Sequence, residues 1–152
     1  MQSLKTLRII HIAILIEALV FFVIVFFVNI DKDLIWMNDE NPDLFLIGLI
    51  LVVTSAMGSF IVPRIMLNSV RSKESREERM KAYLSVAIVR LAFIDAAMTI
   101  SIVLFFVEKA WIYALMLALL IVVYLGMYPT QNAVERDTEL STGDFSEDEF
   151  ND

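Results

Sequence analysis

No cysteine occurs among the 152 residues, which excludes disulfides, thiolate nucleophiles, sulfur-ligated metals and thiol exchange with quinones. Histidine occurs once, as His11, so a membrane haem held by two axial imidazoles has no ligand pair. Glycine and proline are scarce, with 4 and 3 copies. No glycine-rich loop that could cradle a phosphate is spelled anywhere, and Pro63 and Pro129 fall at the ends of apolar runs. An uninterrupted basic stripe is missing too. Arg71–Lys81 is broken by Glu74, Glu77 and Glu78, which argues against a nucleic-acid partner. With no Ser/His/Asp set at one depth and no metal-ligand cluster, the chain is not expected to be an enzyme or to carry a cofactor.

What is abundant is apolar sequence. The hydrophobic fraction is 59%, against about half in a soluble domain. Four stretches account for it, about Ile9–Ile30, Leu44–Val62, Tyr83–Val107 and Trp111–Tyr128. Each is near or above the roughly 20 residues that carry a helix across about 30 Å of hydrocarbon. The expected fold is therefore an all-α membrane protein with four transmembrane helices, its bundle covering residues 1–130. Lys5 and Arg8 before the first run resemble the start of a secretory signal. That run, however, outlasts the roughly 7–15 residues of a signal core and ends Phe26-Phe27-Val28-Asn29-Ile30 without a small-x-small site. It reads as a retained span.

Orientation follows from the bias of basic residues toward the cytoplasm. Lys5 and Arg8 precede the first span, and Arg64, Arg71, Lys73, Arg76, Arg79 and Lys81 lie between the second and third. The other two loops hold only Lys32 and Lys109. Both termini are thus expected in the cytoplasm, with Trp36 and Trp111 at the outer interface and Tyr83 and Tyr128 at the inner one. The net charge of −7 comes from acids in the first loop and in residues 131–152, an acidic segment whose composition predicts a largely disordered cytoplasmic tail.

The chain also reads as a duplicated helical hairpin. Ile16-Glu17-Ala18 followed by Phe26-Phe27-Val28 is echoed by Ile94-Asp95-Ala96 followed by Phe105-Phe106-Val107. Gly58 and Gly126 near the inner ends of the second helices match, as do Pro63 and Pro129, each expected to stop its span. Chance similarity among apolar residues is the competing explanation, so the matched acids carry most of the weight. Small residues four apart predict close helix contacts at Ser55 and Ser59, Ala92 and Ala96, and Ala114 and Ala118.

Two carboxylates lie inside the spans, Glu17 in the first and Asp95 in the third, with Arg90 on the same helix as Asp95. A charge at mid-bilayer costs at least about 2.5–3.5 kcal/mol, so each group must be paired, neutral or facing water. Arg90 and Asp95 are separated by about 140° around a helix, which disfavours a pair within it. A Glu17–Arg90 bridge between helices is the expectation, leaving Asp95 protonated or facing Ser55 or Thr54. His11 is expected to snorkel toward the headgroups.

The segments Lys5-Thr6-Leu7-Arg8-Ile9-Ile10-His11, Ile88-Val89-Arg90-Leu91-Ala92-Phe93-Ile94-Asp95 and Tyr128-Pro129-Thr130-Gln131-Asn132 resemble an uncharacterised family of small four-span proteins common in Bacteroidota. In that family an Ile-Arg-x-Ala-x-x-Glu-like segment lies in span three and a Pro-Thr-Lys-like segment follows span four. The resemblance extends to about Leu140. Asp95 stands where the family has Glu, and Gln131 where a basic residue is usual. It implies an inner membrane location in a Gram-negative cell and no particular activity. A four-span chain with a glutamate in span one also resembles small multidrug-resistance exporters. This chain departs from them in its length, in Arg90 and Asp95, and in having no tryptophan inside a span.

Two functions are compatible with these features. The first is a non-enzymatic inner membrane protein that acts as an accessory or assembly subunit of a larger complex, its partners being the bilayer and other membrane subunits or further copies of itself. The alternative is a small proton- or cation-coupled transporter or channel that uses Glu17 and Asp95.

Overall fold

The computed structural model describes residues 2–37, 42–73, 75–130, 134 and 137. The described residues form helices α1 (Gln2–Asn29), α2 (Pro42–Arg71), α3 (Arg76–Glu108) and α4 (Trp111–Gly126). Long apolar runs of this kind fold as helices because lipid offers no partner to backbone N–H and C=O groups, which must then pair within the segment. Three helices are long and apolar enough to cross a membrane, over Leu4–Asn29, Pro42–Val70 and Glu78–Glu108. The described residues make an all-helical fold, and the chain is a membrane-embedded protein. α4 has 16 residues, about 24 Å of helix against roughly 30 Å of hydrocarbon. The predicted tail at 131–152 lies outside the described residues, apart from positions 134 and 137.

Pro63 does not stop α2, contrary to the reading of the sequence. It is buried inside the helix, which continues to Arg71. Proline removes the N–H that would bond the carbonyl four residues back, here that of Ser59. Membrane helices tolerate such a gap because neighbouring segments and hydroxyl side chains support the backbone. The Ser59 hydroxyl, fully buried, donates to the Ala56 carbonyl at 2.6 Å.

α3 is the hub. It packs against α2 most extensively and also against α1 and α4, while the other three helix pairs barely meet. It accordingly buries far more of its length than α1 or α2. Glycine lets α2 approach closely. A Cβ on Gly58 would meet the Phe93 ring at 2.7 Å, and one on Gly48 would meet the tip of Leu104 at 2.5 Å. Outward from this core, α1 and α2 present large apolar side chains, among them Ile9, Ile24, Phe27, Ile50 and Ile65. On a soluble protein such a surface would be an aggregation hazard; facing acyl chains it is a solvent-matched exterior.

α1 and α3 run parallel and in step. Phe22 meets Phe105 at 5.5 Å between ring centroids. Trp111, just past α3, lies 6.1 Å from Phe26 and 6.0 Å from Phe105. Of the phenylalanines that echo each other in sequence, Phe26 and Phe105 both pack on Trp111, while the ring on α1 that meets Phe105 is Phe22. The second helices do not complete the duplication, because α3 and α4 pack together whereas α1 and α2 hardly touch.

The link after α1 joins the α3–α4 turn through an isolated parallel bridge between Ile35 and Ala110. Ile35 N–H donates to the Lys109 carbonyl at 3.1 Å, and the Trp111 and Ile112 amides donate to the carbonyls of Ile35 and Trp36 at 2.9 and 3.2 Å. A helix start leaves its first amides without intrahelical acceptors. Here another strand of chain supplies them in place of a capping side chain, and Ala110 at the N-cap offers none. α3 ends on Lys109 in the left-handed region at φ 53°, its N–H bonded to the Phe105 carbonyl.

Candidate functional site

Two groups of polar side chains are built into the bundle. The first is at mid-span. The in-step packing of α1 and α3 brings Glu17 level with Asp95, within Coulombic reach. Glu17 is exposed on the outer face of α1, and Asp95 is half-exposed. Neither makes a hydrogen bond or ion pair among the described residues. Asp95 borders an exposed stripe of α3, formed by Ile88, Ala92, Ala96, Thr99 and Val103 at helical spacing. The face therefore combines small side chains with two acids that no cation pairs among the described residues.

The expected Glu17–Arg90 bridge is absent, and the register explains why. The offset that sets Asp95 opposite Glu17 sets Arg90 more than a turn away, opposite His11. Arg90 Nε is buried without a hydrogen-bond partner among the described residues. Thr54 is exposed and Ser55 half-buried on α2, and neither is bonded to Asp95.

The small-residue pairs divide in the same way. Ser59 is buried between helices, whereas Ala92, Ala96 and Ala118 are exposed and Ala114 is half-buried. On α3 the buried positions are instead Leu91, Ile94, Ala97, Met98, Ser101 and Phe105. The two alanines sit on a face of α3 that no helix covers among the described residues. Ser101 donates to the Ala97 carbonyl at 2.9 Å, which satisfies its hydroxyl inside α3.

The second group lies near the end of the bundle where α1 begins. His11 does not snorkel. It is 1% exposed, stacked on Tyr124 at 4.1 Å with an interplanar angle of 23°, and edge-on to Tyr128 at 5.4 Å. Tyr124 also donates its hydroxyl to the His11 carbonyl at 2.7 Å. Both His11 ring nitrogens are buried without a hydrogen-bond partner among the described residues. Arg8 donates to the Pro129 carbonyl at 3.4 Å and lies 6.0 Å from the centroid of the Tyr128 ring. Beside His11 is a cleft with about 30 Å³ of room for the centres of water-sized atoms, lined by Leu7, Tyr83, Arg90, Leu91, Tyr128 and Pro129 among others.

At the opposite end, Asn29 and Glu108 are buried at the tips of α1 and α3. Lys32 donates to Asn29 Oδ1 at 3.0 Å, while Asn29 Nδ2 and Glu108 Oε2 lack partners among the described residues. No group of three or more His, Asp or Glu side chains that could hold a metal is found among the described residues.

No family model matches the chain, and neither a curated protein nor a solved structure matches it. The sequence singles out Glu17, Asp95 and Arg90 but does not show the burial of His11, Tyr124, Asn29 and Glu108. The periodicity of α4 contained one available signal: Tyr113, Leu117, Leu120 and Tyr124 recur at helical spacing and form its buried face. They place a tyrosine hydroxyl where another helix must accept it.

Proposed function

We propose that the chain is a non-enzymatic, multi-pass protein of the cell inner membrane that acts as an accessory or assembly subunit of a larger membrane complex. All four helices cross the membrane in this reading, with both termini in the cytoplasm. The basic Arg64–Lys81 segment supports that orientation, as do the tyrosines at one end and the tryptophans at the other.

One observation carries the proposal: exposed Glu17 and half-exposed Asp95 lie within Coulombic reach of each other at mid-span, and neither has an ion-pair partner among the described residues. Left against acyl chains, each ionised acid would cost about 2.5–3.5 kcal/mol or more. A partner helix with Lys or Arg at the same depth would remove that cost. The Ala92–Ala96–Thr99 stripe would let its backbone come close.

Affinity purification of the full chain in mild detergent, with identification of co-eluting membrane proteins, tests this reading. A Glu17→Gln/Asp95→Asn double substitution should abolish co-elution while leaving the bundle folded. Unchanged recovery of the partner would refute it.

The same acid pair also supports a second reading, a proton- or cation-coupled carrier, because two facing carboxylates without a basic neighbour suit exchange of a small cation. Reconstituted liposomes under an imposed pH gradient separate the two. Flux that disappears in the double variant selects the carrier, and silent liposomes select the subunit.

A further inference from the structure

The cleft at the start of α1 contains donors that the fold does not use. Inside membrane protein, an unsatisfied buried polar atom is expensive, and native structures rarely keep several together without a function. Here three such atoms cluster, namely Nδ1 and Nε2 of His11 and Nε of Arg90, on facing turns of α1 and α3. The cleft between them is also lined by Tyr128 and Pro129. Arg8 brings a second guanidinium to the Tyr128 ring on the same side. No carboxylate lines the cleft among the described residues. Positive charge and N–H donors without an acid select an anion, and the planar guanidinium fork matches oxygens held on one tetrahedral centre.

We propose that this cleft binds a phosphate oxyanion, received there by Arg90 Nε and a ring N–H of His11. The source that fits best is the headgroup of an anionic phospholipid. About 30 Å³ admits one or two oxygens and leaves the rest of a headgroup outside the cleft. The remaining lining is apolar, with Leu7, Ala87, Leu91 and Met127, and the adjoining Ile9 and Ile88 are exposed. A glycerol backbone and acyl chain leaving the cleft would run along that surface. Basic pockets between helix ends are a recognised setting for such headgroups. Tyr124 holds the arrangement by stacking on the His11 ring and donating its hydroxyl to the His11 carbonyl.

The single histidine makes the test direct. With 15N-histidine in the full-length protein, the imidazole signals report on His11 alone. Titration with phosphatidylglycerol in detergent micelles should shift those signals, whereas phosphatidylcholine should not. In parallel, native mass spectrometry should retain phosphatidylglycerol on the wild-type chain and on Arg64→Gln, whose exposed cation lies away from the cleft. Retention should be about tenfold weaker for Arg90→Gln, the loss expected for one charge-assisted hydrogen bond.

A shift produced equally by inorganic phosphate without lipid would keep the oxyanion site and make free phosphate its source. Should Arg90→Gln misfold, Arg90→Lys keeps the charge and loses Nε, and the wild-type histidine titration stands alone. Imidazole signals that ignore both probes would overturn the proposal, as would equal retention by the Arg90 and Arg64 variants.

Discussion

Tyr124 is fixed to His11 through two contacts, a hydroxyl that donates to the His11 carbonyl oxygen at 2.7 Å and a ring stacked 4.1 Å from the imidazole. The backbones of α1 and α4 come close at few points, so this pair, with Phe26 against Trp111 at the other end, links the two helices through side chains. Tyr124→Phe keeps the stack and removes the bond. It should lower stability by about 0.6 kcal/mol, the average for hydrogen bonds between membrane helices. Tyr124→Ala removes both contacts and opens a cavity, with a loss of about 3–5 kcal/mol. Unfolding in mixed micelles would measure the difference, and equal losses for the two variants would contradict the role of the ring.

The two glycines of α2 should respond differently to alanine. At Gly58 the new methyl would strike the body of the Phe93 ring, which cannot step aside within a packed interface. A destabilisation of about 1–3 kcal/mol is expected there, as for other overpacked cores. At Gly48 the methyl would meet only the end of the Leu104 side chain, and a rotamer change can accommodate it. Gly48→Ala should therefore cost less than Gly58→Ala in the same assay.

Lys109 holds a left-handed backbone conformation that favours glycine. Lys109→Gly is expected to be neutral or to stabilise by up to about 1 kcal/mol. Lys109→Val should destabilise, because a β-branched side chain is excluded from that region more strongly than the unbranched stem of lysine. Thermal unfolding of both variants would check the sign.

Amides at a helix start normally exchange quickly. Trp111 and Ile112 should be exceptions, because the carbonyls of Ile35 and Trp36 receive their N–H groups. Hydrogen exchange should show both protected together with Ile35, the third donor of the bridge. Rapid exchange at all three would mean that the two links separate in solution.

The exposed stripe of α3 gives a prediction of the opposite kind. Ala92→Leu and Ala96→Leu add apolar surface where no helix packs, so the isolated bundle should keep its stability within about 0.5 kcal/mol. Co-elution of a membrane partner should drop sharply, because the enlarged side chains block close approach. A large stability loss in either alanine variant would show that the face is covered within the chain.

The apolar runs made the helices legible, and the intramembrane acids were legible as exceptional residues. Their partners were not. Depth counted along separate spans put Glu17 and Arg90 at comparable levels, but helix register depends on how side chains interlock. The packing of α1 on α3 places Asp95 within Coulombic reach of Glu17 and puts Arg90 in one cleft with His11. Small residues gave a similar lesson. Ala92 and Ala96 have the spacing of a packing face, yet such spacing marks where a helix can approach, and α2 packs instead beside Phe93 and Leu104. Pro63 looked like a terminator because its local effect on the backbone is strong. Packing against α3 outweighed it. Hydropathy placed His11 near a polar boundary, and only the tertiary fold showed Tyr124 and Tyr128 closing over it.

The dependence of every other helix on α3 has a consequence for biogenesis. Synthesis delivers α1 and α2 first, and neither finds a mate in the other. Both must wait in the insertion machinery or adrift in the bilayer until the third segment emerges and gathers them, so a ribosome stalled before α3 would leave two orphaned helices and no partial bundle.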